Sequence, residues 1–377
     1  LVLPPLFPVL RREFGVGYAA LGLMMGVFYA ASGIGQPTSG FLVDHVGARR
    51  VLLGGMGLLT AGIALAALSP SYWLMFPILM VAGLGNSVFH PADYAIVNAS
   101  VDRDRVGRAY GIHSICGSLG WAAAPPVVVG LSALAGWRTA LAVAGIGGLL
   151  VTLVLTTQRH ALADHRPALL ARRPAGAGGL AADVRLLLVP PILLAFAYFT
   201  LLAMAIVGIQ TFSVAALVAI YDVPLGLASG TLTGYLLGSA VGILAGGFLA
   251  DRTLRHDRVA AGGMLLAAGL TLAIGSGGVP VTGLLALTTL AGLCVGATSP
   301  SRDMLVRAAT PPGASGKVYG FVYSGLDLGS TTMPFVFGWL LDRGEPRLCF
   351  VLVAVIMLLA IFTVVEVRRH AVRVAPI

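Results

Sequence analysis

The chain has 377 residues, 58% of them hydrophobic and 10% charged, with 50 glycines, a formal net charge of +9 and a mean hydropathy of +0.93. Soluble domains carry about 25% charged residues. An ordinary soluble enzyme, a disordered chain and a secreted disulfide scaffold are therefore excluded, and lipid is the expected solvent.

A helix needs about 20 mostly apolar residues to cross the hydrocarbon core. In chain order the sequence predicts spans at 18–42, 51–69, 72–99, 107–132, 137–157, 187–214, 225–249, 259–277, 280–308, 317–341 and 348–366. The apolar segment Leu1 to Leu10 reaches only about halfway across at 1.5 Å per residue. It reads as the end of a truncated twelfth helix. A cleaved signal peptide is the alternative, but the segment lacks a basic start and a small-residue cleavage site. The cysteines Cys116, Cys294 and Cys349 sit in separate apolar runs, a spacing that suggests neither a metal site nor a disulfide framework.

Cytoplasmic loops collect Lys and Arg. Of the 24 such residues, the odd-numbered connections hold only Arg11, Arg12, Arg138, Arg343 and Arg347, and the other side holds nineteen. This predicts that both chain ends and the central loop are cytoplasmic. The positive charge is then a topology signal with some attraction to anionic lipid, and no nucleic-acid footprint is expected. The expected organisation is an N-terminal helix bundle over 1–157, a cytoplasmic central loop over 158–186, rich in Arg, Ala, Pro and Gly, and a C-terminal bundle over 187–377.

The two halves are related. Gly40-Phe-Leu-Val-Asp44 returns as Gly247-Phe-Leu-Ala-Asp251, and Gly107-Arg-Ala-Tyr-Gly111 returns as Gly316-Lys-Val-Tyr-Gly320, at offsets of 207 and 209. At the second offset Pro91 meets Pro300, Gly120 meets Gly329 and Pro125 meets Pro334. Several matches in one order imply duplication. Two similar six-helix bundles in one chain are the plan of a transporter whose halves rock about a central site.

The segment Gly40-Phe-Leu-Val-Asp44-His-Val-Gly47-Ala-Arg49-Arg50 resembles the loop signature of the major facilitator superfamily. The twelve-span plan, the central loop and the second copy at Gly247 to Arg258 extend that resemblance over the whole chain. It implies an all-α membrane protein with the major facilitator fold. Val88-Phe-His-Pro91 followed by Gly107 to Gly111 resembles the fosmidomycin-resistance-like group of drug exporters.

Within the signature, Gly40 and Gly47 permit close packing and a sharp turn. Asp44 ends a helix, where the dipole disfavours a carboxylate. It is therefore expected to meet the amides that start a neighbouring helix, or Arg49 or Arg108. The resemblance implies that this cluster, with Arg50 and a weaker copy at Asp251 and Arg252, latches the cytoplasmic side in an outward-facing state. A purely stabilising loop is the alternative.

The stretch Gly111 to Gly130, which includes Pro125 and Pro126, is similar to the fifth-helix motif of drug–proton antiporters; simple helix packing would explain it as well. Many proton-coupled relatives carry an arginine four residues before the glycine matched by Gly83, and this chain has Leu79. Any proton role then passes to His90, His113 or Asp327.

Asp327 lies about 15 Å from the start of its span, near the midplane, with Tyr323 one turn away. A carboxyl at that depth is costly and suits a coupling site or the counter-ion of a cationic substrate; a bonded structural carboxyl is the alternative. His90, Asp93 and His113 form a second group, either a proton relay or a bonded helix-end cluster. Arg302 and Asp303, near a cytoplasmic helix end, are expected to belong to an ion-pair network. Tyr29, Gln36, Trp121, Tyr198, Gln210 and Tyr235 are polar or aromatic residues near mid-depth and are candidates for the cavity wall.

The sequence carries no phosphate-cradling loop, zinc motif or nucleophile elbow, so neither catalysis nor a cofactor is expected. The expected function is proton-coupled export of a small drug-like or cationic compound across the cytoplasmic membrane, by a monomer in lipid. Proton-linked uptake of a small metabolite such as a carboxylate is the alternative, and from another class, a non-transporting membrane sensor.

Overall fold

A computed structural model describes residues 2–101, 106–158, 162, 185–253, 255–309 and 315–374. After a short 3-10 turn at Pro4–Leu6 come α1 (Phe7–Phe14), α2 (Tyr18–Val46), α3 (Ala48–Ala66), α4 (Tyr72–Asn86), α5 (Phe89–Ser100) and α6 (Val106–Thr157). The second half holds α7 (Pro190–Tyr221), α8 (Leu225–Asp251), α9 (His256–Gly275), α10 (Val281–Ala309), α11 (Ser315–Asp342) and α12 (Pro346–Val374). Nine stretches of the described residues are long and apolar enough to cross a membrane. One of them, Ile115–Thr157, is 43 residues long, about twice what one crossing needs. It turns at Gly136, whose φ of 84° only glycine adopts freely, so α6 comprises two limbs.

One feature departs from one helix per span. The span over 72–99 breaks between Asn86 and Phe89, giving α4 and α5. Pro91 has no N–H to offer the carbonyl of Ser87, and Ala92 N–H bonds the Val88 carbonyl beyond it. Gly47 makes the turn between α2 and α3 with φ 100°, as its place in the loop signature predicts. The connections at residues 15–17, 67–71 and 222–224 lie at one end of the bundles, and Gly47 and Arg252 at the other. These ends are called the arginine-poor and arginine-rich faces.

The halves meet in two ways near the arginine-poor face. α2 packs along α11, and α1 packs on α7, where the ring of Phe7 lies 5.3 Å from Phe212 and Tyr18 lies 6.3 Å from the same ring. The α2–α11 seam is a backbone contact: a Cβ at Gly22 would overlap the Pro334 carbonyl, and one at Gly338 the Tyr18 carbonyl. Within the second half α8 and α10 approach as closely. Gly238 and Gly242 face the carbonyls of Thr289 and Leu293, and Gly292 and Gly296 face those of Tyr235 and Ser239. Lipid tails give helices no hydrophobic drive to associate, so such small-residue faces let dispersion hold them together.

Candidate functional site

The broken α4–α5 span, the first limb of α6, and α7 and α8 enclose a cavity of about 310 Å³. Its wall takes His90 from α5, His113, Gly117, Ser118 and Trp121 from α6, Gln210 from α7, and Leu236 and Ser239 from α8. Both halves therefore contribute. By helix rise Gln210 and Ser239 sit near mid-depth, and His90 and His113 lie about 10–15 Å from the arginine-rich ends of their helices.

His113 Nε2 lies 3.4 Å from Asp93 Oδ2, joining α6 to α5. The imidazole side is 41% exposed and the carboxylate 14%. The contact is an ion pair only while His113 is protonated, so proton occupancy at the cavity wall changes the charge there. Gln210 is 6% exposed, and its side-chain carbonyl has no hydrogen-bond partner among the described residues. An unpaired polar atom in a buried site is costly, and a ligand donor entering the cavity would satisfy it.

Trp121 is 46% exposed and also lines a second cavity of about 280 Å³, with Tyr29 and Asn86. A Cβ added at Gly117, Gly120 or Gly130 would meet no described atom within 4 Å. The small-residue run of α6 is thus not held small by a close helix contact in this conformation. Gly117 and Gly130 instead border cavities between the halves, the second of about 470 Å³ beside Leu225 and Ser229.

Asp327 is half-buried on α11 and packs against α2, its Cβ next to the Cα of Gly33 across the seam. It therefore faces the other half, across the α2–α11 contact. Tyr323 turns to the interior of its own half. Its ring is 4.9 Å from that of Phe199, and its hydroxyl donates to Asp303 Oδ1 at 3.3 Å. Arg302 completes this cluster, donating from Nε to Asp303 at 2.9 Å and lying 4.7 Å from the Phe199 ring. At the repeat offset of 209, Arg302 is the counterpart of Asp93, so each half carries a polar cluster at equivalent places.

Other candidates fall elsewhere. Tyr198 and Tyr235 are buried inside the C-terminal bundle and are not in the wall of the 310 Å³ cavity; α7 packs there on α11 and α12, and α8 on α10. Tyr235 borders a small internal pocket with Ser213 and Thr271. Gln36 is half-buried on α2 and lines neither the 310 Å³ nor the 280 Å³ cavity. Of the loop signature, Arg49 donates from Nε to the Leu162 carbonyl of the central loop at 2.8 Å, and Arg50 and Arg252 are exposed. Arg255 lies 3.6 Å from Asp257. The surroundings of Gly40 and the side chains of Asp44, Arg108 and Asp251 lie outside the described residues. On the arginine-poor face Arg138 pairs with Glu13 and stacks on Trp137, and that hydrogen bond holds the Glu13 carboxyl below its usual range.

Residues 2–233 and 201–376 match the sequence model of the family described as Major Facilitator Superfamily. The fosmidomycin resistance protein of Escherichia coli (strain K12) is 25% identical over 95% of this chain and 86% of its own length. The probable L-galactonate transporter of the same organism is 24% identical over 38% of this chain, and the match spans 32% of that protein. Among solved structures, a bacterial homologue of the human lysosomal transporter Spinster, inward-facing and unoccupied, superposes with a TM-score of 0.79 at 15% identity. That match covers 99% of this chain and 94% of the other.

Proposed function

The chain belongs to the major facilitator superfamily, and from that footing we propose that it is a secondary transporter of the cytoplasmic membrane, not an enzyme. It works by alternating access and exports a small, fairly apolar or cationic compound in exchange for protons. The observation that carries this reading is the cavity shared by both halves, with His113 in its wall and Asp93 3.4 Å behind that imidazole. The arginine-rich face is cytoplasmic by the distribution of positive charge. The conformation is then inward-facing: α2 and α11 are pressed together toward the opposite face, and His90 and His113 are exposed at the cytoplasmic end of the cavity.

Substrate leaving the site would be exchanged for a proton on the His113–Asp93 pair, so one site is occupied by cargo or proton in turn. Export is favoured by the likeness to the fosmidomycin resistance protein along nearly the whole chain. A second reading, proton-linked uptake of a carboxylate, draws on the partial likeness to the probable L-galactonate transporter.

Proteoliposomes loaded with ethidium, an apolar cation, and separately with L-galactonate, a carboxylate, distinguish the two. Efflux by exchange acidifies the lumen, whereas efflux by co-transport makes it more alkaline, and a sensor gives ligand binding without flux. Export by exchange is contradicted if neither compound leaves, or if the lumen turns alkaline. His113→Gln is expected to lower the proton-linked signal about tenfold or more, the scale of losing one positioned proton-transfer group, while substrate binding by thermal shift persists. An unchanged pH signal in that variant removes the pair from the coupling path.

A further inference from the structure

The pattern Gly–aromatic–Leu–x–Asp occurs a third time. Besides Gly40 to Asp44 and Gly247 to Asp251, it appears as Gly338-Trp339-Leu340-Leu341-Asp342. All three copies close a long helix: α2, α8 and α11. The first two lie at the arginine-rich face and the third at the arginine-poor face.

In the third copy both chemical parts of the pattern are in use. Asp342 ends α11, where the helix's own dipole disfavours a carboxylate, but it stands at the start of α2, where a carboxylate is favoured. Tyr18 N–H donates to Asp342 Oδ1 at 2.6 Å and Ala19 N–H to Oδ2 at 2.7 Å. These are the first two amides of α2, which have no partner within their own helix. The carboxylate thus caps a helix belonging to the other half of the molecule. One turn earlier, Gly338 lets the two backbones meet at the Tyr18 carbonyl, where any side chain would collide. Arg11, in the last turn of α1, lies 4.9 Å from the Tyr18 ring and adds positive charge beside the cap.

The second copy is in the opposite condition. A Cβ added at Gly247 would meet no described atom within 4 Å. The pattern is therefore packed at Gly338, where the halves touch, while at Gly247 no described atom packs on it.

We propose that Gly338 and Asp342 form a latch that holds the arginine-poor face shut. The glycine permits the backbone contact, and the carboxylate ties the two halves together through the exposed amides of α2. This rests on the alternating-access reading for its purpose but not for its existence.

The test is the distance across that face, read by electron–electron resonance between spin labels at Leu68 and Val281, in purified full-length protein in nanodiscs. Both positions are exposed, and they lie on opposite halves. Asp342→Ala is expected to raise the population with a long distance roughly tenfold, the effect of losing charge-assisted hydrogen bonds at a partly exposed site. Asp342→Glu is expected to restore part of the closed population. Gly17→Ala keeps the aspartate but puts a methyl group where its carboxylate now sits, so it is expected to open the face as well. This covers the case in which Asp342→Ala fails to fold. Asp222→Asn serves as the control: Asp222 is on the same face but ends α7, has a φ of 51° that asparagine tolerates, and is expected to change nothing.

Labels at Arg50 and Arg252 separate the two ideas. If the arginine-poor face opens while the arginine-rich distance stays fixed, the latch stands and alternating access fails. Unchanged Leu68–Val281 distances in both Asp342→Ala and Gly17→Ala overturn the latch.

Discussion

Asp327→Asn is expected to abolish gradient-driven transport while leaving substrate exchange partly intact. Asp327 sits about 18 Å from the arginine-rich end of α11 and about 22 Å from the other, near the midplane. It packs on Gly33 of α2, across the contact between the halves. A carboxylate there is exposed to one face or the other as the seam opens and closes, which is the requirement for a group that carries a proton between them. Asparagine keeps the shape and some hydrogen bonding but cannot exchange a proton. With an uncharged substrate, one proton moved through 100 mV supplies about 2.3 kcal/mol, enough for a roughly 50-fold concentration ratio. The variant's ratio should fall to about one, measured with labelled substrate in proteoliposomes under an imposed potential and pH difference. Counterflow, which needs no net proton movement, should continue. Uphill transport at the wild-type ratio would remove Asp327 from coupling and leave the His113–Asp93 pair as the proton site.

Gly22→Leu should be as damaging by a different route. The Gly22 Cα faces the Pro334 carbonyl so closely that no side chain fits. Overpacking costs about 1–3 kcal/mol, and here the cost falls only on the state in which the seam is closed. The equilibrium should move by about 5- to 150-fold toward a state open at the arginine-poor face. Net transport should drop accordingly, and a cysteine placed at Ser132, beside the cavity between α6 and α8, should react faster with an impermeant thiol reagent. Leucine is well tolerated in apolar helices, so a loss of flux with wild-type expression and thermal midpoint would separate a conformational effect from misfolding.

Hydropathy makes most of the fold legible, since each crossing must satisfy its backbone internally and advertises itself as a long apolar run. The predicted break near Gly136 and the turn at Gly47 appear where glycine's positive φ is needed. The interruption before Phe89 is harder to read, although Pro91 carries the signal; proline in a membrane helix often bends it without breaking it. Tyr198 and Tyr235 show the limit of depth as a guide. A residue at mid-membrane can face its own bundle or the other one, and helical position alone does not say which. Gln210, at a depth like that of Tyr235, does reach the shared cavity, because its face of α7 turns toward the first half.

The third Gly–aromatic–Leu–x–Asp copy is readable in the sequence but falls outside the duplication. At the offset of 209, Asp342 corresponds to Ala133, so comparing the halves does not reveal it. The four-residue spacing of Gly234, Gly238, Gly242 and Gly246 is likewise visible and marks the α8–α10 contact. Arg302 pairs with Asp303, as their place near a helix end predicts; its stacking on Phe199 depends on a neighbouring helix and cannot be read from spacing.

Under the proposed mechanism two bundles rock about a shared cavity so that one face closes as the other opens. Spin-label distances at both faces of Gly22→Leu and wild type test this most directly, with pairs at Leu68 and Val281 and at Arg50 and Arg252. Rocking predicts that the variant lengthens the first distance and shortens the second. A first distance that lengthens while the second stays fixed or lengthens too would contradict it.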